Sequence, residues 1–410
     1  MKLLFLSNFY PPASRGGYEQ WCGEVAEGLR SRGHDVLVLT STHGRGNLPS
    51  PDPAWVRRDL HLEMEFTSLR NAFQFFTSRK RRERENLTIL RQTVEQHKPD
   101  AILLWGMWNF PRSLPALAES LLPGRVVYYI GDYWLTLSSQ FENYWNAPAR
   151  NPLTGFPKLL LRPFARRILA REPRPALKVE HALFPSAFMR EELKRKGVTP
   201  GNTKIIYGAI DTHPYLGERT ERQGGTVSLL YAGRITHEKG VHTAVEAVAQ
   251  LVHDHHITDL KLTIVGDGDA DYVSRLHQLV EDKNLASFVD FLPAQPKETL
   301  PALYHRSDIL LFTSIWAEPF GRVIVEAMAS GVVVVGTSVG GAAEILADGE
   351  NALTFTPDDP ASLANQLKRL IESPDLRERL AKSARQTAVD KFDLQRMTTE
   401  IETYLQSIAG

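Results

Sequence analysis

LLFLSNFYPPASRGGYEQWCGEVAEGLRSRGHDVLVL, residues 3–39, decides the fold class. Leu3 to Ser7 is an apolar run of strand length. A Pro- and Gly-containing loop follows from Tyr10 to Gly17. Tyr18, Trp21, Cys22, Val25 and Leu29 then recur at i, i+3, i+4, i+7 and i+11, which predicts a helix with one apolar stripe. Gly33 ends that helix, and Val36 to Leu39 is the next strand. Strand, helix and strand in so short a stretch form a βαβ unit, and such units build parallel sheets.

Working outward, Ala101 to Trp105, Val126 to Ile130, Ala182 to Pro185 and Lys204 to Tyr207 are further strand-like runs at uneven spacing. Residues 41–85 and 131–175 are polar and basic in places, so the loops and helices there are hard to place. From Val227 the alternation is regular, with strands predicted at 227–232, 261–265, 289–292, 308–313 and 332–336. Thr212 to Gly225, rich in charge, Gly and Pro, reads as a linker. Leu394, Met397, Ile401, Leu405 and Ile408 form the apolar stripe of a closing helix. A chain of 410 residues exceeds what one core supports. The fold class is therefore α/β, with one Rossmann-like domain at 1–210, a second at 211–390, a terminal helix at 391–410, and two parallel sheets facing across a cleft.

Composition removes several functions. Lys plus Arg and Asp plus Glu each number 48, so no general nucleic-acid binder is expected. Cys22 is the only cysteine, which excludes an intrachain disulfide and a cysteine zinc cluster, and its place on an apolar helix face disfavours a nucleophile. The apolar start, Met1 to Leu6, has no small-residue cleavage pattern behind it and reads as a buried strand. With no run of the ~20 apolar residues that span a bilayer, the protein is expected in the cytoplasm.

In parallel sheets ligands bind at the carboxyl ends of strands, so the loops after strands hold the candidates. After the first strand, Gly16 and Gly17 precede a helix and suit close approach of an anion, or a plain turn. After 227–232 come Gly233 and Arg234, then Glu238-Lys239-Gly240. Here a planar fork and a compact ammonium suit phosphate, while a solvated loop with a Lys–Glu pair is the simpler alternative. Gly266-Asp267-Gly268 after 261–265 is a small-residue turn that leaves room for a base or ribose, and a tight turn explains it as well. After 308–313 stand Glu318 and Glu326 with seven residues between them. Pro319 suits a first helical turn, which sets Glu318 at the helix start and Glu326 just over two turns along. Val323 to Ala329 are otherwise apolar, so a carboxylate at 326 needs partners.

The glutamate pair, the Gly-Arg…Glu-Lys-Gly loop, the Gly-x-Gly turn and the N-terminal Gly-Gly loop, in that context, resemble family 4 of the retaining glycosyltransferases, of GT-B fold. The resemblance covers nearly the whole chain, densely from 227 to 356 and thinly from 41 to 200. It implies that the first domain binds an acceptor and the second a nucleotide-sugar, with a UDP-sugar the expected donor. Arg234 and Lys239 would hold the diphosphate, and Glu318 hydroxyls of the donor sugar. The backbone at Phe320 and Gly321, with Arg322, would steady sugar and phosphate. Glu326 would take the ribose hydroxyls, and Gly233, Gly266, Gly268 and Leu292 would complete the donor pocket. Gly16 and Gly17 would let the first loop close over the diphosphate. No metal or other cofactor is implied. The acceptor would be a saccharide or a lipid-linked saccharide, and the closing helix would pack on the first domain. One departure stands out: where many relatives carry His-Asp, this chain reads Gly131-Asp132, so Asp132 either takes over the polar contact near the reacting centre or the local match is shifted. Residues 157–175, which mix Leu, Phe and Ile with Lys158, Arg162, Arg166, Arg167 and Arg171, suit either a peripheral membrane helix or a solvated basic face. Arg79 to Arg84 is a second basic run. The competing functions are a nucleotide-sugar epimerase of the same architecture and a non-catalytic nucleotide-sugar binder.

Overall fold

A computed structural model describes residues 1–14, 16–65, 71–148, 152–217 and 225–409. The chain forms two compact units, Met1–Pro185 with Met189–Ile206 and Thr398–Gly410, and Ser186–Phe188 with Tyr207–Met397.

The first unit is built on β1 (Lys2–Ser7), β2 (Asp35–Ser41), β3 (Val56–Leu60), β4 (Ala101–Leu104), β5 (Val126–Tyr129), β6 (His181–Phe184) and β7 (Asn202–Ile205). Their spatial order is β3-β2-β1-β4-β5-β6-β7, every pair parallel. β4 and β5 are buried throughout, as expected of strands covered on both faces. β3, absent from the sequence reading, is the sequence VRRDL. Its Arg58 is only 4% exposed because the guanidinium pairs with Asp52 at 2.8 Å and donates to the Tyr10 and Pro11 carbonyls. The predicted first helix spans Gly17–Ser31, with Gly16 at its N-cap and Gly33 in the left-handed region behind it (φ 86°).

The second unit holds β8 (Val227–Ala232), β9 (Leu260–Val265), β10 (Val289–Leu292), β11 (Ile309–Phe312), β12 (Val333–Thr337) and β13 (Leu353–Phe355) in the order β10-β9-β8-β11-β12-β13, again all parallel. β13, three residues long, was also not predicted. Of the linker stretch 212–225, residues 218–224 lie outside the described residues.

The closing helix, Leu394–Ala409, leaves the second unit at its first turn and belongs to the first from Thr398 onward. There Glu402 accepts hydrogen bonds from Arg32 and from His34, each at 2.7 Å. The two unplaced stretches hold helices Asn71–Thr77, Gln140–Asn146 and Pro152–Arg171 and the start of Arg79–His97. The basic run at the start of Arg79–His97 is balanced by carboxylates: Arg79 and Lys80 meet Glu172, Arg81 meets Glu85 and Arg82 approaches Glu65. No helix among the described residues is long and apolar enough to cross a membrane.

Candidate active site

Each sheet has one place where strand order reverses, between β1 and β4 and between β8 and β11. Loops leaving adjacent strands on opposite sides open a crevice there, where open α/β sheets bind ligands. In the second unit the flanking loops are Gly233–Lys239 and Thr313–Gly321, which hold Arg234, Lys239 and Glu318. Sequence order alone did not reveal that they are neighbours.

The two loops are joined through their backbones. Thr313 Oγ1 donates to the Lys239 carbonyl (2.8 Å), and Ile315 N donates to the Glu238 carbonyl (3.0 Å). Gly240 sits at φ 63°, and a Cβ there would fall 2.2 Å from the Thr313 oxygen, so glycine is required at the join. Lys239 Nζ consequently lies 2.7 Å from Glu318 Oε1, both side chains largely buried, with the Trp316 ring 5.9 Å from the ammonium. Arg234 is exposed, and its carbonyl is held by the Tyr231 hydroxyl at 2.7 Å. Gly266 and Gly268 let the β9 loop cross the β8 loop, since added Cβ atoms would meet the Gly233 and Ile235 carbonyl oxygens at 1.8 and 1.9 Å. Leu292, at the end of β10, is 41% exposed beside them.

The helix carrying Glu326 starts later than predicted. It spans Arg322–Ala329 with Gly321 at its N-cap, so Pro319 precedes the helix, Glu318 lies outside it, and Glu326 is one turn in. The cause is tertiary. The Glu318 carbonyl accepts from Gly341 N (2.7 Å) and the Pro319 carbonyl from Ser186 Oγ (2.6 Å), which holds that segment off the helix path. Glu326 is 6% exposed; its Oε2 accepts the Tyr304 hydroxyl at 2.9 Å, and Oε1 lies 3.9 Å from Arg322 Nε. The Phe320 ring is buried edge-on to Phe392, leaving only its backbone for a ligand.

Gly16, Gly17 and Asp132 belong to the first unit. Asp132 follows β5, accepts from Trp134 N (3.2 Å), and burial pushes its carboxyl up to about 7, with Glu19 adding to the effect. Position 131 has no room for a side chain: a Cβ there would fall 2.6 Å from the Tyr18 ring. Tyr18, whose hydroxyl donates to the Tyr129 carbonyl, fills the space a histidine would need. Arg15, ahead of the glycine pair, lies outside the described residues. Cys22 is fully buried, and burial pushes its thiol up, which removes it as a nucleophile. The sequence did not single out Trp316, and it showed Tyr18 only as part of the first helix's apolar stripe, not as a residue of the site. An exposed aromatic two residues before Glu318 was the available signal for the first; nothing local marked the second.

Two doubly wound parallel units on one chain, the second with paired charges at its crevice, define the GT-B architecture. Glycosyl transferases group 1 matches residues 218–387 and glycosyltransferase family 4 matches residues 15–213, and the chain belongs to this family of glycosyltransferases. It is 30% identical over 220 residues to spore coat protein SA of Bacillus subtilis (48% of this chain, 57% of that protein), and 31% identical over 231 residues to a glycogen synthase of Mycobacterium tuberculosis (55% and 54%). The matched stretches thus span little more than half of those relatives. Among solved structures, the Anabaena HepE protein in complex with UDP and glucose superposes with a TM-score of 0.69 at 23% identity, covering 99% of this chain and 100% of that one.

Proposed function

We propose that this chain is a retaining glycosyltransferase that moves a hexosyl group from a UDP-sugar to a saccharide or glycolipid acceptor, in the synthesis of a polysaccharide or glycoconjugate. The observation that carries this reading is the Lys239–Glu318 pair, 2.7 Å apart at the β8/β11 crevice with the Arg234 loop beside it. Relatives support it: the HepE protein was solved with UDP-glucose.

The bond between the anomeric carbon and the diphosphate oxygen breaks, and one from that carbon to an acceptor hydroxyl oxygen forms on the same face. The hydroxyl proton leaves with the departing diphosphate. Arg234 and Lys239 hold the charge that grows on that diphosphate, in place of a bound metal. Fixed charge of this kind is usually the largest catalytic term. Glu318, relieved of Lys239 by the donor phosphates, turns to the sugar hydroxyls. Glu326, one turn into the next helix, serves the ribose. Gly16, Gly17 and Asp132, which belong to the first unit, keep the roles in ligand approach and polar contact that the resemblance gives them.

Peripheral contact with the inner membrane face belongs to the same reading. Helix Pro152–Arg171 carries five basic and no acidic side chains, and leaves Phe156, Leu160 and Phe164 exposed at 67%, 58% and 67%. Such a face complements an anionic bilayer. Phe164→Glu should abolish co-sedimentation with anionic vesicles.

The test is a thermal-shift panel of UDP-, GDP- and ADP-sugars, followed by turnover with the stabilising donor. UDP released only when an acceptor is present supports transfer. A new UDP-sugar formed without free UDP or acceptor would instead identify an epimerase, and a chain indifferent to all donors would sink the reading.

A further inference from the structure

The first unit contains a cavity of about 330 Å³ at the carboxyl ends of β3, β4 and β5, within the range of small-ligand sites. Loops after those strands form its floor, and the end of helix Pro152–Arg171 with residues 172–175 closes one side.

Its charges are unevenly matched. Glu172 forms a fork with Arg79 at 2.5 and 2.7 Å, Glu83 takes the Ser113 hydroxyl and the Lys80 ammonium, and Glu142 closes a capping box with Ser139. Glu63 accepts from Gln140 N, and burial pushes its carboxyl up to about 7, so much of its charge is absent at neutral pH. Against these stand Arg112 and Arg174, neither of which has an ion-pair partner among the described residues. Main-chain carbonyls fix them instead: Arg112 donates to Pro175 O and Leu135 O, both at 3.0 Å, and Arg174 to Leu137 O at 2.6 Å. Those bonds use two and one of the five N–H groups each guanidinium offers. A third donor is Trp134 Nε1, which lines the same cavity, is buried, and has no acceptor among the described residues. A buried donor left without an acceptor carries its full desolvation penalty, so the site favours an oxygen-rich anion.

We propose that this cavity binds a phosphate monoester, with the Arg112 and Arg174 guanidiniums as its charge partners and the Trp134 indole N–H as a third donor. Reading the phosphate as part of the acceptor rests on the glycosyl transfer proposed above; the anion site does not. The phosphate can come from a soluble sugar phosphate or from a lipid headgroup, because the helix that closes the cavity also carries the exposed Phe156–Phe164 face.

Binding of glucose 6-phosphate, of glucose, and of phosphatidylcholine vesicles with and without phosphatidate is measured on the full chain, as wild type, Arg112→Gln and Arg174→Gln. UDP binding is the control for fold and donor site. Loss of a charge-assisted hydrogen bond should weaken phosphate binding about tenfold or more in each variant while UDP binding stays unchanged. Glucose should not compete. Arg174 lies on the surface, so its variant keeps the test decisive if Arg112→Gln does not fold. Saturable binding of glucose 6-phosphate that depends on the arginines supports a soluble ligand, and the same dependence with phosphatidate vesicles alone supports a lipid-borne one. Absence of both, or binding indifferent to both substitutions, overturns the site. A wild type that binds sugar phosphate but no UDP would keep the cavity and remove the transferase reading.

Discussion

The loops after β1 and β4, with the β5 loop beside them, and the loops after β8 and β11 flank the switch points of two sheets of like topology, yet their contents differ in kind. The first set is aromatic and protonatable. Tyr18 lies 6.0 Å from Trp105, which stacks 4.4 Å from Tyr129, and Asp132 beside them carries a raised pKa. The second set is ionic and compensated, with Lys239 on Glu318 and Glu326 between Tyr304 and Arg322. Topology fixes where a ligand can approach; loop composition decides which charge it meets.

Four measurements break or sharpen this contrast. The largest effect belongs to the ionic crevice: Lys239→Ala should lower kcat by ~10²–10³ in a donor-consumption assay. Unchanged turnover would mean that the paired charges are structural only. Next comes Glu326→Ala, which leaves the buried Tyr304 hydroxyl without its acceptor and Arg322 without its nearby carboxylate. Urea unfolding should show a loss of about 1–3 kcal/mol.

In the aromatic region, Gly131→Ala forces a methyl into the Tyr18 ring and should destabilise by about 1–3 kcal/mol, and by less when introduced into a Tyr18→Ala background. An equal penalty in both backgrounds would mean the backbone at 131, not the ring, sets the restriction. The smallest effect is electrostatic. Asp132 titrates near 7 when folded against 3.8 ordinarily, so the folded state binds its proton more tightly. Its contribution to stability is therefore full below about 3.8 and is lost as pH rises through about 7. Asp132→Asn should gain in melting temperature over wild type between pH 5 and pH 8. Glu63, raised in the same direction, keeps part of the slope in the variant.

Much of this was legible in the chain. β8, β9 and β11 follow from short apolar runs bounded by polar residues or glycine, because strands largely buried on both faces leave little choice of residue. β3 was not legible, since Arg57 and Arg58 break the apolar pattern and only the Tyr10 and Pro11 carbonyls with Asp52 make a buried arginine tolerable. The glutamate spacing marked a candidate site, but the helix was placed too early, because Pro319 fits a helix start equally well in isolation. Gly341 and Ser186, distant in sequence, decided otherwise.

By itself, then, the sequence determined two parallel α/β units, the identity of the loops that carry charge, and the exclusion of an intrachain disulfide, all of which depend on local pattern and residue type. Only tertiary structure decided that β8 lies against β11, so that Lys239 reaches Glu318, that Tyr18 occupies the space over Gly131, and that Arg112 and Arg174 converge on one cavity. Strand order and side-chain meetings across long separations depend on the packing of whole elements, which no local window of residues encodes.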